Sequence, residues 1–418
     1  MKTDSAYLMA SAAGALNSVN GLRPISRTGR PSVLCFFPGW LTSELPLQAI
    51  AVQAAGTAAF ASAGALRSGK GKVGMALTLA SWAGLGALYR TSTATEAALE
   101  TALVEGLGEG YQRRMAPAFA PPANVALTRV QIASPFPRLR RRYTANHDLP
   151  YGDLGRRNLL DIWKRADLPE AGGAPVLVHV HGGAWVSGNK EQQGNPLMAH
   201  LAERGWISVA VNYRLSPRGR WPDHIVDVKR AIAWVKANIE RYGGDPGFVA
   251  ITGGSAGGHL SSLAALSADE PSFQPGFEDA DTSIQAAVPF YGVYDFANRD
   301  GTAHASLEDF LQRVVLKVPR VANPELWEKA SPVSWVRPDA PPFFVLHGSN
   351  DSLVPVEQAR SFVRHLRGSS SSAVVFAELP RTQHAFDVLS SVRTLHTVRA
   401  VDRFLAVARS EHKQADAM

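Results

Sequence analysis

The chain has 418 residues, 45% hydrophobic and 19% charged, with 43 Lys and Arg against 36 Asp and Glu. That length holds one large domain plus an extension, and the basic runs carry no interleaved aromatic residues, which argues against a nucleic-acid module. Cys35 is the only cysteine, so an internal disulfide and a cysteine metal site are excluded; no glycine-rich phosphate loop or metal-spaced histidine pair occurs, and no cofactor is expected.

Residues 1–30 read as a polar tail with a short apolar patch, and Asp4 spoils the cationic start that a signal peptide needs. Residues 31–115 read as an apolar helical hairpin. Within it, residues 45–66 and 73–89 are uncharged runs of 22 and 17 residues, joined by Arg67-Ser-Gly-Lys-Gly-Lys72. As helices they would run about 33 and 26 Å, against a hydrocarbon thickness of about 30 Å. Small residues such as Ala55, Ala59, Gly74 and Gly84 suit close helix contact, in a membrane anchor or in a soluble hairpin packed on the catalytic domain. Arg67, Lys70 and Lys72 lie nearer these runs than Arg23, Arg27 and Arg30 do. In a membrane, the positive-inside rule would put the loop in the cytoplasm and the catalytic domain on the outer side; the other reading is a soluble cytoplasmic protein.

Residues 116–140 read as a linker marked by Pro117, Pro121, Pro122, Pro135 and Pro137, and Arg138, Arg140, Arg141 and Arg142 form a basic cluster for anionic lipid headgroups or for solvent. From 141 to 410, strand-like runs near 142–145, 158–163, 176–181, 207–213, 248–252, 286–291, 343–347 and 374–379 alternate with helical patterns such as 223–242. Continuous apolar strands in that alternation predict an α/β fold, a mostly parallel sheet covered on both faces. Residues 298–337 break the pattern and read as a cap over the strand ends or as core packing; 411–418 is a tail.

The chemistry gathers where strands end. Gly253-Gly254-Ser255-Ala256-Gly257 stands between an apolar strand and a helical pattern, a setting that forces Ser255 into a sharp turn and exposes its Oγ as a nucleophile. The run 174–181 leads into Gly182-Gly183-Ala184-Trp185, whose turn frees backbone N–H groups; Gly183 and Ala184, with Ala256, are the candidate oxyanion hole. Asp351, in the loop Gly348-Ser349-Asn350-Asp351 after a later strand, is the candidate acid, with Asp295 as its rival. His384 follows the last strand and is the candidate base, giving the chain order Ser255, Asp351, His384 that α/β-hydrolases use. His179 and His181 read as satisfied strand-end histidines and His259 as a packing or hydrogen-bonding residue. His396 and His412 read as solvated, and Asp161, Asn212 and Arg214 as structural.

From about residue 143 onward the chain resembles the α/β-hydrolase serine esterases related to hormone-sensitive lipase, the bacterial carboxylesterase/lipase subgroup in particular. The motifs that carry this are His181-Gly-Gly-Ala-Trp, Asn212-Tyr-Arg-Leu-Ser-Pro217, Gly253-Gly-Ser-Ala-Gly-Gly and His347-Gly-Ser-Asn-Asp. The resemblance implies a carboxylesterase or lipase acting on short- to medium-chain acyl or lipid esters, with Ser255, Asp351 and His384 as triad and Gly183, Ala184 and Ala256 as oxyanion hole. Two departures are Ala184, where the family has a third glycine, and Gly254, where an acidic residue often stands. The Ser-Ala-Gly-Gly-His run is also similar to arylformamidase-like hydrolases, which leaves an amide-type substrate as an alternative. A catalytically inactive, membrane-bound interaction protein is the alternative of another class, although such a protein has no need of all four site elements. The partners expected are a small-molecule ester and a membrane surface, with no nucleic acid; the oligomeric state is not legible.

Overall fold

A computed structural model describes residues 2–121, 127–135, 139–268 and 270–416; Pro122, Pro137 and Arg138 lie outside the described residues. Four helices come first: α1 (Thr3–Leu22), α2 (Gly29–Glu44), α3 (Pro46–Ser62) and the 39-residue α4 (Gly69–Leu107). Short helices α5 (Arg129–Ala133) and α6 (Leu139–Tyr143) lead to the sheet. Its strands are β1 (Thr144–Pro150), β2 (Leu159–Trp163), β3 (Ala174–Val180), β4 (Ile207–Val211), β5 (Gly244–Gly254), β6 (Ala286–Phe290), β7 (Phe343–Gly348) and β8 (Val374–Leu379). Between and after them run α7 (Asn195–Glu203), α8 (Asp223–Asn238), α9 (Ala256–Leu266), α10 (Ala305–Phe310), α11 (Pro324–Lys329), α12 (Val356–Ser369) and α13 (Val392–Asp416).

The sheet order is β1-β2-β4-β3-β5-β6-β7-β8, with β2 antiparallel to both its neighbours and the remaining pairs parallel. β3, β4 and β6 are buried at every position, as strands covered on both faces must be. Alternate side chains point to opposite layers. Val176, Val178 and Val180 meet α8, α9 and α12 on one face, whereas Leu177, Phe248, Val288 and Phe344 meet α7, α13 and the C-terminal half of α4 on the other. Seven of the eight expected strands stand where expected to within about four residues at either end; the first, expected at 142–145, runs instead from Thr144 to Pro150, because residues 139–143 coil into α6 and bury Tyr143.

The N-terminal third differs from its expectation. The expected tail contains α1, which lies along α4 through hydroxyl pairs: Ser18 Oγ to Ser81 Oγ at 2.7 Å, Tyr7 OH to Thr78 Oγ1 at 3.2 Å and Thr78 Oγ1 to Ser11 Oγ at 3.0 Å. Gly74 permits this approach, since a Cβ there would stand 2.9 Å from the Tyr7 ring. Gly84 also faces α1, but Ala55 and Ala59 point outward.

The membrane-spanning reading of residues 45–66 and 73–89 is not supported. Among the described residues no helix is long and apolar enough to cross a membrane. The second run is instead the front half of α4, which continues past residue 89 and places Leu99, Leu103 and Leu107, one per turn, in the core against β8 and α13. Gly106 lies so close to β8 that a Cβ would come within 2.7 Å of the Val375 Cα. The expected linker is also docked, with the Ala116 N–H donating to Ser410 Oγ at 2.9 Å and Arg409 lying 3.9 Å from the Phe119 ring. In the basic cluster, Arg140 is paired with Asp161 and Glu191 and Arg142 with Glu203, so these charges are largely answered within the protein. The 298–337 segment sends Leu311 and Trp327 into the core, where both are fully buried.

Candidate active site

Ser255 joins β5 to α9 with φ 58° and ψ −119°, a left-handed conformation that costs an L-residue about 1–3 kcal/mol. Its N–H donates to the Phe290 carbonyl at 3.0 Å and its own carbonyl accepts from the His259 N–H at 3.0 Å, so the turn is pinned from both sides. The surrounding glycines are required by close approach. A Cβ on Gly257 would stand 2.0 Å from the Val180 carbonyl oxygen, and one on Gly258 2.6 Å from that of Phe290. Ser255 is partly exposed at the carboxyl end of the sheet, the edge where open α/β sheets bind ligands.

The loop after β3 lies against this turn, a Cβ on Gly182 being 3.3 Å from that of Ser255. Gly183 has φ +118°, and a Cβ there would lie 2.2 Å from the Ser187 carbonyl oxygen. Ala184 and Trp185 follow at φ 53° and 59°, and the Val186 and Ser187 N–H groups close the turn onto the Gly183 carbonyl at 3.0 Å each. Among the described residues, the N–H groups of Gly183, Ala184 and Ala256 have no acceptor, leaving three donors beside the serine. The buried Trp185 indole donates to His259 Nδ1 at 3.2 Å, while His259 Nε2 meets the Ala330 carbonyl at 2.8 Å. Burial lowers His259 to about 3, keeping it neutral, so it ties the loop to α9 and to the segment after α11.

Asp351 and His384 come together from loops after β7 and β8, with Nδ1 and Oδ2 2.6 Å apart and both residues buried. The other carboxylate oxygen accepts from the Leu353 and Val354 N–H groups at 2.8 Å each, and His347 Nε2 approaches Oδ2 at 3.2 Å. Burial alone would push the Asp351 carboxyl up, but His384 and the donors from His347 and His384 outweigh it and hold it well below the usual carboxylate range. Asp295 takes no part in this arrangement. Its carboxylate accepts from the Arg299 N–H at 2.7 Å and lies 3.8 Å from the Arg299 guanidinium, so it closes the turn after β6. Burial raises its pKa, with Arg299 opposing.

Three neighbours of His384 escaped the sequence reading. The Tyr291 ring lies 4.4 Å from the imidazole, and its hydroxyl bonds to Asp387 and fills the space that a side chain on Gly254 would need. Burial pushes Asp387 up to about 6. The signal available was Asp387, three residues beyond His384 in one loop. Phe36 of α2 meets the imidazole edge-on at 6.0 Å, with no local signal at all. The same helix fastens both loops, through Trp40 Nε1 to the Ala385 carbonyl at 2.9 Å and through Ser352 Oγ to the Ser32 carbonyl at 3.5 Å, while Arg27 just ahead of it donates to Asn350 Oδ1 at 3.0 Å.

His179 and His181 are buried, with pKa values lowered by burial to about 3 and about 4, and His181 Nδ1 meets the Gly182 carbonyl at 2.7 Å. Asp161 accepts from the buried Lys190 at 2.7 Å; Asn212 accepts the Lys190 N–H at 2.8 Å, and Arg214 pairs with Asp223 and Asp227. His396, expected to be solvated, is buried, 3.6 Å from Glu96, because α4 covers that face of α13. The His412 ring lies 5.4 Å from that of Phe248, tilted by 53°. Among the described residues no group of His, Cys, Asp or Glu has the geometry to hold a metal ion.

Residues 160–366 match the BD-FAE family model. The carboxylic ester hydrolase LipM of Mycobacterium tuberculosis, so named as probable, is 51% identical over 96% of this chain and 92% of its own. The esterase LipQ of the same organism is 44% identical over 91% of this chain and 86% of its own. Among solved structures, the Thermogutta terrifontis esterase Est2 with bound butyrate superposes at a TM-score of 0.53 and 26% identity, covering 64% of this chain and 96% of that one. The similarity to LipM and LipQ therefore reaches into the N-terminal helices, whereas Est2 matches little more than the sheet and its covering helices.

Proposed function

The chain belongs to the family of carboxylic ester hydrolases that LipM and LipQ represent, and from that premise we propose that Ser255, His384 and Asp351 carry out its reaction by two acyl transfers. Ser255 Oγ attacks the ester carbonyl carbon while His384 Nε2 takes its proton. The carbonyl oxygen becomes an oxyanion held by the N–H groups of Gly183, Ala184 and Ala256. The C–O bond to the alcohol breaks, His384 returning the proton to the leaving oxygen. Water then attacks the acyl-serine with His384 again as base; the acyl–Oγ bond breaks as His384 returns the proton to Ser255 Oγ, and the acid departs. Asp351 holds the imidazole with its proton on Nδ1 and stabilises the imidazolium that each step creates.

The observation that carries this reading is the 2.6 Å Asp351–His384 bond together with a serine held at positive φ, the Tyr291 ring lying against both the imidazole and Gly254, the residue before that serine. Three free backbone donors add an environment in which each is worth 10²- to 10³-fold in rate. The acyl group we assign is short to medium. Est2 binds butyrate, and here the buried rings of Phe36, Tyr291 and Trp185 crowd the site, while the Ala184 methyl narrows the alcohol side.

The test is a hydrolysis profile over p-nitrophenyl esters of increasing chain length beside an aryl formamide, for the wild type and Ser255→Ala. Short and medium esters should turn over well, the formamide poorly, and Ser255→Ala should lose on the order of 10⁴- to 10⁶-fold in kcat with its fold intact. Wild-type turnover by a folded Ser255→Ala variant would overturn the nucleophile. A formamide hydrolysed faster than every ester would replace the ester reading with the amidase one.

A further inference from the structure

Eight Lys and Arg stand against two Asp and Glu in residues 1–90, so six of the chain's seven net positive charges belong to that stretch. One of the two acids, Glu44, is buried against Arg393 and adds nothing to the surface. The helices there carry apolar side chains on both sides. Toward one another they turn hydroxyls and glycines, as in the Ser18–Ser81 and Tyr7–Thr78 pairs, together with the buried Leu85 and Leu88, and outward they turn further apolar side chains instead of polar ones.

On α1 the outward stripe is Met9, Leu16 and Val19, separated by exposed alanines and ending at the exposed Arg23. On α2 it is Leu34, Phe37 and Leu41, and on α3 Val52 among alanines. On α4 it is Val73 and Leu79, flanked by exposed Lys72 and Arg90. Leu34 is 77% and Val52 72% exposed, values at which a soluble helix normally carries a polar side chain. Small residues and hydroxyl pairs inside with apolar side chains outside is the arrangement helices adopt when their surroundings are lipid.

We propose that this helical layer beds its outer face in the surface of an anionic lipid bilayer, lying in the boundary between headgroups and acyl chains, with Arg23, Arg67, Lys70 and Lys72 on the headgroup phosphates. No described helix is long and apolar enough to cross a membrane, and the contact proposed is with one leaflet. Charge favours lipid over a second copy of the chain as occupant, because two such layers face to face would oppose cation to cation. The layer also leads to the active site: α2 turns Leu34 and Phe37 outward and Phe36 inward onto His384, so an ester drawn from the leaflet has only one helix to pass.

The test is flotation of the full chain with vesicles of phosphatidylglycerol and phosphatidylcholine, and with phosphatidylcholine alone, followed by hydrolysis of a soluble p-nitrophenyl ester. The chain should float with the anionic vesicles and release as salt is raised. The triple variant Leu16→Glu, Leu34→Glu, Val52→Glu should bind at least about tenfold less, since it takes three apolar side chains out of the lipid, while hydrolysing the soluble ester at the wild-type rate. Should that variant not fold, the charge reversal Arg67→Glu, Lys70→Glu, Lys72→Glu must weaken binding to the anionic vesicles alone. Absence of flotation overturns the proposal, as does equal flotation of wild type and variants. So does a wild-type dimer that the apolar variant turns into monomers without any vesicle binding, which would assign the face to a second copy. Soluble-ester hydrolysis is read separately, so failure here leaves the catalytic reading standing.

Discussion

Replacing Asp351 by Asn tests the acid assignment through one proton. Oδ1 accepts from two backbone N–H groups at 2.8 Å, which an amide oxygen can do and an amide nitrogen cannot, so the Asn oxygen is fixed there. Its NH₂ group then occupies the place of Oδ2, 2.6 Å from His384 Nδ1 and 3.2 Å from His347 Nε2. His347 can turn its proton to the Val354 carbonyl at 3.0 Å. His384 must instead accept at Nδ1, which moves its proton to Nε2, the atom that has to receive the proton of Ser255. The same exchange in a serine protease, the worked case for this triad, lowers kcat about 10⁴-fold; at 1.36 kcal/mol per decade that is about 5.4 kcal/mol on the barrier. The assay is kcat and KM on p-nitrophenyl butyrate, well below the melting temperature, with KM expected to change little. The carboxyl is held below its usual range in the fold, so the stability it gives is present above the unfolded carboxylate range and lost as pH falls through the folded value. The Tm of Asp351→Asn should therefore lie below wild type at neutral pH, the gap closing in acid. A kcat within tenfold of wild type, or a larger loss from Asp295→Asn, would refute the reasoning.

Glu44→Gln leaves the Arg393 guanidinium buried without a countercharge and should cost about 3–5 kcal/mol, read as a fall in urea midpoint; a midpoint within error of wild type would contradict it. A chain beginning at residue 139 loses Leu99, Leu103 and Leu107 from the face of β8 and α13 and should aggregate when expressed, whereas a soluble, fully active product would make the helices a mere appendage. His179, His181, His224 and His259 are held neutral by burial, with pKa values of about 3 to 4. Their stabilisation is complete above about pH 6.5 and falls away as pH drops toward those values, so unfolding near pH 5 should take up about four protons more than at pH 8 on their account. Urea unfolding across that range measures the uptake as a slope.

The sheet was legible because the inner strands, such as β3, β4 and β7, hold short apolar runs, and because the elbow and the loop after β3 combine tight glycines with strand ends. Asp351 and His384 were nominated by chain order, and the structure brings them into contact. What stayed hidden depends on contacts between residues hundreds of positions apart: Phe36 on His384, Trp40 on Ala385, Glu44 on Arg393. His396 looked solvated because the helix that covers it is α4, some 300 residues earlier. Residues 45–89 looked like membrane spans because a helix that buries hydroxyls and glycines, and turns its Val and Leu outward, has the composition of one whichever way it faces.

The 39 residues of α4 form a continuous rod about 58 Å long, half of it in the N-terminal layer and half in the core of the hydrolase. That rod has a consequence for biosynthesis. Its C-terminal half leaves the ribosome some 270 residues ahead of β8, the strand it must cover, and at 5–20 residues per second the interval is roughly 14–54 s. Throughout that time Leu99, Leu103 and Leu107 lack β8 and α13 to rest on, and the nascent chain carries an open apolar seam. The enzyme can close only when translation is nearly complete, with its first helices among its last surfaces to be buried.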